Sequence, residues 1–288
     1  MNTAARYREQ AVVLPCEGEH LIAVLTEPEC QAPGDLAVVV IAGGPQYRTG
    51  SHRQFVLLAR TLATAGFPCL RFDARGMGDS SGGLPNFERL GPDVAAAIDG
   101  LQIARPKTKR VVLWGLCDGA AAALLYLHER PDPRVQGLCL LNPWVRSQAS
   151  LARTHVKHYY RQRLMQAEFW RKLLGGRVAG QALRGLWTNI QNARSREARP
   201  NAALPFQARM AAAWAAFRGP ILLVLSGDDY TAREFIEYTA AAGDWRGLTQ
   251  SPLVTRRDES GADHTFSSAP HRLSLEQATR DWLTRAAT

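Results

Sequence analysis

Short apolar segments recur along the chain, and polar loops and helical stretches separate them. Leu36 to Ile41 is a continuous β-branched run typical of a strand buried on both faces, and a helical pattern from Arg53 to Thr64 follows it. Before this run, Ala11 to Pro15 and Leu21 to Thr26 predict an N-terminal hairpin. Similar runs predict further strands at Pro68 to Phe72, Arg110 to Trp114, Val135 to Leu141, Pro220 to Ser226 and Pro252 to Arg256. The alternation predicts an α/β fold with a mainly parallel sheet flanked by helices.

Residues 144–205 interrupt this alternation, and we predict that they form an inserted helical cap. The core would then comprise residues 1–143 and 206–288. The segment contains 12 Lys and Arg against two acidic residues, while the rest of the chain, with 23 basic and 24 acidic residues, has a net charge of −1. Because one segment accounts for the imbalance, the net charge of +9 does not by itself predict nucleic-acid binding. It predicts either an anionic substrate or carrier, or arginines that face solvent.

Length and cysteine usage narrow the class of protein further. A chain of 288 residues, 46% of them hydrophobic, suits one α/β domain with an insertion, or two small domains. Five cysteines without a CxxC pair favour reduced thiols, a cytoplasmic location and the absence of a zinc site. The most apolar run, Val111 to Leu127, contains Asp118 and is shorter than the roughly 20 residues of a membrane span. We expect no signal peptide, membrane span, metal or organic cofactor.

The segment from Trp114 to Gly119 has the pattern of a nucleophile elbow. It follows a predicted strand, opens a helical run and contains Gly-Leu-Cys-Asp-Gly, in which glycines flank Cys117 at two positions' distance. Small residues let such a turn close, and the helix N-terminus behind it stabilises negative charge on sulfur. Cys117 is therefore the predicted nucleophile. The alternative is that it is a small buried apolar residue, as free cysteines commonly are.

A nucleophilic thiol needs a base and an acid that orients the base. His264 follows the last predicted strand and precedes the last helix, which makes it the predicted base. The acid should end a strand between Cys117 and His264, where Asp228 and Asp229 follow Ser226-Gly227. We prefer Asp229 and retain Asp228 as the alternative, since one of the two could instead form the turn or cap the next helix.

Two backbone N–H groups are needed to stabilise an oxyanion. One is predicted to be that of Asp118, and the other that of Gly44 or Gln46, because Pro45 between them has no N–H. His52, close to this loop, and Trp144, at the start of the predicted cap, are candidate substrate contacts. The turn from Asp73 to Ser80 is expected to support the site without taking part in catalysis.

These motifs resemble the α/β-hydrolase superfamily over nearly the whole chain. More narrowly, Gly43 to Phe55, Gly115 to Asp118, Asn142-Pro143-Trp144 and Ala262 to Phe266 resemble exosortase A system-associated hydrolase 1, a family that accompanies bacterial exopolysaccharide and protein-sorting loci. The resemblance implies a hydrolase. Most of the superfamily uses serine where this chain has Cys117, although dienelactone hydrolases also use cysteine.

The residues therefore predict a Cys-His-Asp hydrolase that cleaves an ester or thioester through an acyl-enzyme. An acyltransferase with the same triad and a non-catalytic binding protein on a hydrolase fold remain alternatives. The predicted substrate is a small molecule or a carrier-bound acyl group. Neither a nucleic-acid partner nor an oligomeric state follows from the sequence.

Overall fold

An eight-stranded sheet forms the centre of the computed structural model, which describes residues 7–29, 34–44, 46–146 and 204–287. The strand order is β1-β2-β4-β3-β5-β6-β7-β8. β1 and β2 pair antiparallel with each other, and β2 pairs antiparallel with β4, whereas all pairs from β4 to β8 are parallel. The strands are Tyr7–Cys16, Glu19–Pro28, Leu36–Ile41, Cys69–Phe72, Arg110–Leu116, Val135–Leu141, Ile221–Ser226 and Val254–Glu259. The predicted mainly parallel α/β sheet is confirmed.

Helices cover both faces of this sheet. Within the described residues they are α1 Gln54–Thr64, α2 Gly91–Ala104, α3 Asp118–Glu129, α4 Phe206–Ala216, α5 Tyr230–Ala241 and α6 Ala269–Ala287. Side chains of α1 and α6 pack on one face around Trp114, and those of α2 to α5 pack on the other. Because both faces are buried, β3 is apolar at every position and β7 at every position except its last, Ser226, as the continuous runs predicted.

The predicted and observed boundaries differ most at the edges of the sheet. β1 and β2 are longer than the predicted hairpin strands, because their pairing extends from Tyr7 with Pro28 to Cys16 with Glu19. β8 lies two residues further along the chain than predicted and is mostly exposed. An edge strand with polar outward positions has no continuous apolar run to mark its limits.

The parallel register places four loops at one edge of the sheet. Ile41 pairs with Gly115, Leu116 with Leu141, Leu141 with Val224, and Ser226 with Glu259. The loops that follow β3, β5, β7 and β8 therefore leave the sheet side by side. In such sheets ligands bind at the carboxyl ends of the strands.

The predicted cap lies almost entirely outside the described residues, so its helical structure stays a prediction. No helix within residues 7–146 and 204–287 is long and apolar enough to cross a membrane. Within the same ranges, no cluster of His, Cys, Asp and Glu side chains has the arrangement of a metal site.

A cluster of three aromatic rings holds α5 against the core and provides a test of this packing. Phe235 is buried against Trp214 and Trp245, with ring centroids 6.4 and 5.5 Å away. We expect Phe235→Ala to lower the free energy of unfolding by about 3–5 kcal/mol, because it leaves a cavity among these rings. Ile236→Ala is the matched control, since Ile236 is 38% exposed on the same helix. Urea unfolding that gives equal losses for both variants would contradict this account.

Candidate active site

Cys117 sits in a strained turn between β5 and α3. Its backbone angles are φ 60° and ψ −122°, a conformation that non-glycine residues rarely adopt. Both flanking glycines are required by close approach: a Cβ at Gly115 would lie 2.5 Å from the carbonyl of Gly119, and one at Gly119 would lie 2.4 Å from the carbonyl of Ile41. The turn therefore has the geometry of the predicted elbow, and the Cys117 side chain is only partly buried.

Backbone hydrogen bonds fix this turn in place. The amide of Cys117 donates to Leu141 O at 2.9 Å, and Cys117 O accepts from the amides of Ala121 and Trp144 at 3.2 Å. The Cys117 carbonyl thus both starts helix α3 and binds the chain that leaves β6. These bonds stabilise a conformation that otherwise costs of the order of 1–3 kcal/mol.

Asp229, and not Asp228, lies beside His264. Asp229 Oδ2 is 2.8 Å from His264 Nδ1, and the Asp229 side chain is buried. The same carboxylate caps helix α5 by accepting from the amides of Thr231 and Ala232 at 3.1 and 3.2 Å. Asp228 is exposed and lies 3.7 Å from Arg233. One residue thus takes both of the roles that the sequence left to be shared between the two aspartates.

The proton distribution in this group follows from the same contacts. The hydrogen bond with Asp229, followed by that with Cys117, raises the pKa of His264 to about 10 despite partial burial. Burial on its own would raise the pKa of Asp229, but hydrogen bonds from His264 and the α5 amides lower it overall. The contacts with Asp229 and Cys117 therefore favour the protonated form of the imidazole.

Asn142 is a buried polar residue at this edge that was not among the predicted site residues. Its Nδ2 donates to Ser226 Oγ at 2.9 Å and to His264 O at 3.3 Å, and its Oδ1 accepts from the Ser226 amide at 2.8 Å. It therefore ties the ends of β6 and β7 to the histidine loop. Its φ of 43° is a conformation that Asn adopts more readily than most non-glycine residues, but this angle is known only from the structure.

Both candidates for the second oxyanion donor are already hydrogen bonded. The Gly44 amide donates to Asp118 Oδ1, and the Gln46 amide donates to Gly44 O at 2.8 Å. Since the Gln46 amide faces back into its own turn, Gly44 is the better placed of the two. The Asp118 side chain, rather than only its backbone, is thus part of this region.

The turn from Asp73 to Ser80 supports the loop that contains Gly44 through hydrogen bonds to Arg48. Buried Asp73 accepts from the Arg48 amide at 2.6 Å and from the Arg48 guanidinium, and from the Asp79 amide at 3.1 Å. Ser80 Oγ donates to Asp73 O and accepts from the Ile22 amide, both at 2.8 Å. This arrangement agrees with the supporting role that the sequence suggested.

The two predicted substrate contacts occupy different settings. Trp144 is half-buried, and its amide donates to the Cys117 carbonyl, so it adjoins the turn. His52 is exposed in the short helical turn Ser51–Arg53, with φ 53°.

A cavity of about 260 Å³ lies beside the Gly44 loop, and its lining includes Phe72, Met77, Leu84, Phe87, Leu90 and Asp118.

A parallel sheet with a strained turn after β5, an aspartate after β7 and a histidine after β8 defines an α/β-hydrolase. Residues 35–233 match the Hydrolase_4 family, described as serine aminopeptidase, S33. The chain belongs to this family. Its description names serine, whereas the elbow of this chain carries Cys117.

Solved structures with this fold share little sequence with the chain. The Pyrococcus furiosus esterase Pf2001 is 16% identical, with 98% of this chain and 94% of that chain covered and a TM-score of 0.65. Est1E from Butyrivibrio proteoclasticus, solved with ferulic acid bound, is 15% identical with 96% and 99% covered and a TM-score of 0.61. XC6422 from Xanthomonas campestris, an α/β serine hydrolase without a lid, is 15% identical with 96% and 94% covered and a TM-score of 0.58. No curated protein matches the sequence.

The Asp229–His264 contact predicts a specific change in the pKa of His264. In Asp229→Asn the facing charge is removed, so this pKa should fall from about 10 towards the ordinary value of 6.5. An NMR titration of the imidazole measures it. Because the folded-state pKa is the higher one, the stabilisation from His264 is complete below about pH 6.5 and is lost as the pH rises through about 10. In Asp229→Asn, less folding stability should be lost as the pH rises over this range.

Asp228→Asn is the matched control, because it removes an adjacent carboxylate that contacts Arg233 instead of the imidazole. The pKa of His264 should stay near its wild-type value in this variant. If both substitutions lowered it equally, a general loss of negative charge, rather than the Asp229 contact, would be the cause.

Proposed function

We propose that this protein hydrolyses an ester or thioester, with Cys117 as nucleophile, His264 as proton carrier and Asp229 as the acid that orients it. The main support is a cysteine in a strained turn, together with a histidine whose Nδ1 lies 2.8 Å from Asp229 Oδ2 and whose pKa is raised by both Asp229 and Cys117. Membership of a hydrolase family adds to this. The names of the esterases with the same fold point to the same kind of substrate.

In the proposed first step, the Cys117 sulfur attacks the acyl carbon and the carbonyl π electrons move onto oxygen. The amides of Asp118 and Gly44 stabilise that oxyanion. The intermediate then collapses as the bond to the leaving group breaks, and His264 gives its proton to the departing oxygen or sulfur. The products of this step are an acyl-thioester enzyme and the free alcohol or thiol.

In the second step, His264 removes a proton from water as the water oxygen attacks the thioester carbon. Collapse releases the carboxylic acid and returns the proton and the thiol to their starting arrangement. Thioesters react more readily with amines and thiols than oxyesters do, so an acceptor other than water would make the protein an acyltransferase with the same triad. Incubation with amine or thiol acceptors distinguishes transfer from hydrolysis.

The resemblance to exosortase A system-associated hydrolase 1 supports a further hypothesis, a role beside exopolysaccharide or exosortase systems. A cytoplasmic location would fit a nucleophile that has to remain a reduced thiol.

Cys117→Ala should lower kcat/KM for the best substrate by several orders of magnitude, as removal of a triad member does. Mass spectrometry after treatment with activated esters and acyl thioesters should find the acyl group on Cys117 in the wild type. Cys69 and Cys139 are internal controls, because burial raises the pKa of Cys69 to about 12 and that of Cys139 well above its ordinary value. Cys117→Ser should keep the fold and weak esterase activity. Labelling of Cys69 or Cys139 with activity retained in Cys117→Ala would refute the assignment.

The charge of residues 144–205 supports the proposal that the substrate or its carrier is anionic. Twelve basic residues against two acidic ones would raise the local concentration of anions. Salt should then raise KM for an anionic ester, because screening acts over a Debye length of about 8–10 Å. A neutral ester of equal chain length is the control. A KM that is independent of salt for both esters would mean that these arginines serve only to solvate the surface.

A further inference from the structure

The side-chain carboxylate of Asp118 makes the contacts that an oxyanion would need. Its Oδ1 accepts from the Gly44 amide. Burial raises the pKa of this carboxylate, and the amides of Gly44, Asp118 itself and Gly119 act to lower it. The Gly44 and Asp118 amides are the two donors assigned above to the oxyanion of the substrate. A carboxylate oxygen of the protein thus binds the Gly44 donor and lies beside the Asp118 donor.

We propose that the Asp118 carboxylate occupies the oxyanion hole of the resting enzyme and has to leave it before a carbonyl can be attacked. This inference rests on the proposed function. It makes Asp118 a determinant of which electrophiles the site accepts. Electrophiles whose reaction develops an oxyanion require displacement of the carboxylate, and those that react without one do not.

Displacement of the carboxylate is costly because of what surrounds it. Asp118 borders the cavity beside the Gly44 loop, whose described lining has Phe72, Met77 and Leu90 but no basic residue. A carboxylate turned into this space would lose its amide donors without gaining a cation. Burial already raises the pKa of Asp118, although its amide bonds and the charge of His264, the charged group facing it, oppose the shift. Displacement is therefore easier when Asp118 carries a proton.

Two reactions of Cys117 separate this effect from general reactivity. Acylation by p-nitrophenyl acetate forms a C–S bond while the carbonyl electrons move onto oxygen, and the C–O bond then breaks as the carbonyl re-forms and p-nitrophenolate leaves. This reaction therefore needs the amide donors. Alkylation by iodoacetamide forms a C–S bond as the C–I bond breaks and iodide leaves, so no oxyanion develops. The ratio of the acylation rate to the alkylation rate therefore measures access to the oxyanion hole. A change in the nucleophilicity of the Cys117 sulfur affects both rates and leaves the ratio unchanged.

We expect Asp118→Ala to raise the acylation-to-alkylation ratio at least about tenfold, since one oxyanion-hole donor is commonly worth about 10²–10³ in rate. The backbone amide of residue 118 is kept in this variant. Asp118→Asn, which keeps the shape and an acceptor oxygen but loses the charge, should give a smaller rise and serves if the alanine variant fails to fold. Asp258→Ala, which removes an exposed carboxylate on β8, should leave the ratio unchanged.

The amide proton of Gly44, observed by NMR, tests the occupancy independently of activity. In the wild type it should resonate downfield as a donor to a carboxylate, and Asp118→Ala should move it upfield. An unchanged ratio with an unmoved Gly44 resonance would overturn the proposal, as would a fall in acylation alone. If neither wild type nor variant is acylated at Cys117, the proposed function fails, and the Gly44 resonance alone then decides whether Asp118 occupies the hole.

Discussion

The hydrogen bond between Asp229 and His264 joins two loops that are separated by 35 residues, and the rest of the site depends on it. It orients the imidazole and keeps a proton there, because the carboxylate favours the charged ring. The carboxylate itself is fixed by two amides of α5. Phe235 packs this helix between Trp214 and Trp245, so the position of the acid depends on the aromatic core behind it.

The turn at Cys117 illustrates how the fold stabilises an unfavourable backbone conformation. A positive φ at a residue with a side chain is costly, yet the Cys117 amide and carbonyl are held by Leu141, Ala121 and Trp144. Gly115 and Gly119 are packed closely against neighbouring backbone atoms, so the turn has little space in which to change conformation. The sulfur is thus presented at the start of α3 while the side chains around Trp114 stay buried.

Cysteine in a family described by serine changes the chemistry that the same geometry supports. With Cys117 as the proposed nucleophile, the acyl group would be held as a thioester, which reacts with water, amines and thiols. A histidine that donates its proton to the leaving group would then differ from the neutral histidine that a serine hydroxyl requires as its base. The Asp118 carboxylate binds the Gly44 amide, which is one of the two proposed donors to the acyl oxygen.

The sequence alone determined the order of the elements and the candidate residues for the chemistry. Continuous apolar runs required strands buried on both faces, and the glycines around Cys117 required a tight turn between strand and helix. Spacing along the chain could not choose between Asp228 and Asp229, because adjacent residues differ only in the direction in which the side chain leaves the backbone. The tertiary structure distinguishes them, because the Asp229 side chain points towards His264 and that of Asp228 points towards solvent. The contacts of Asn142 and of the Asp118 side chain also depend on loops that are distant in sequence. The parallel register brings Ser226 and His264 next to Asn142, and Gly44 next to Asp118.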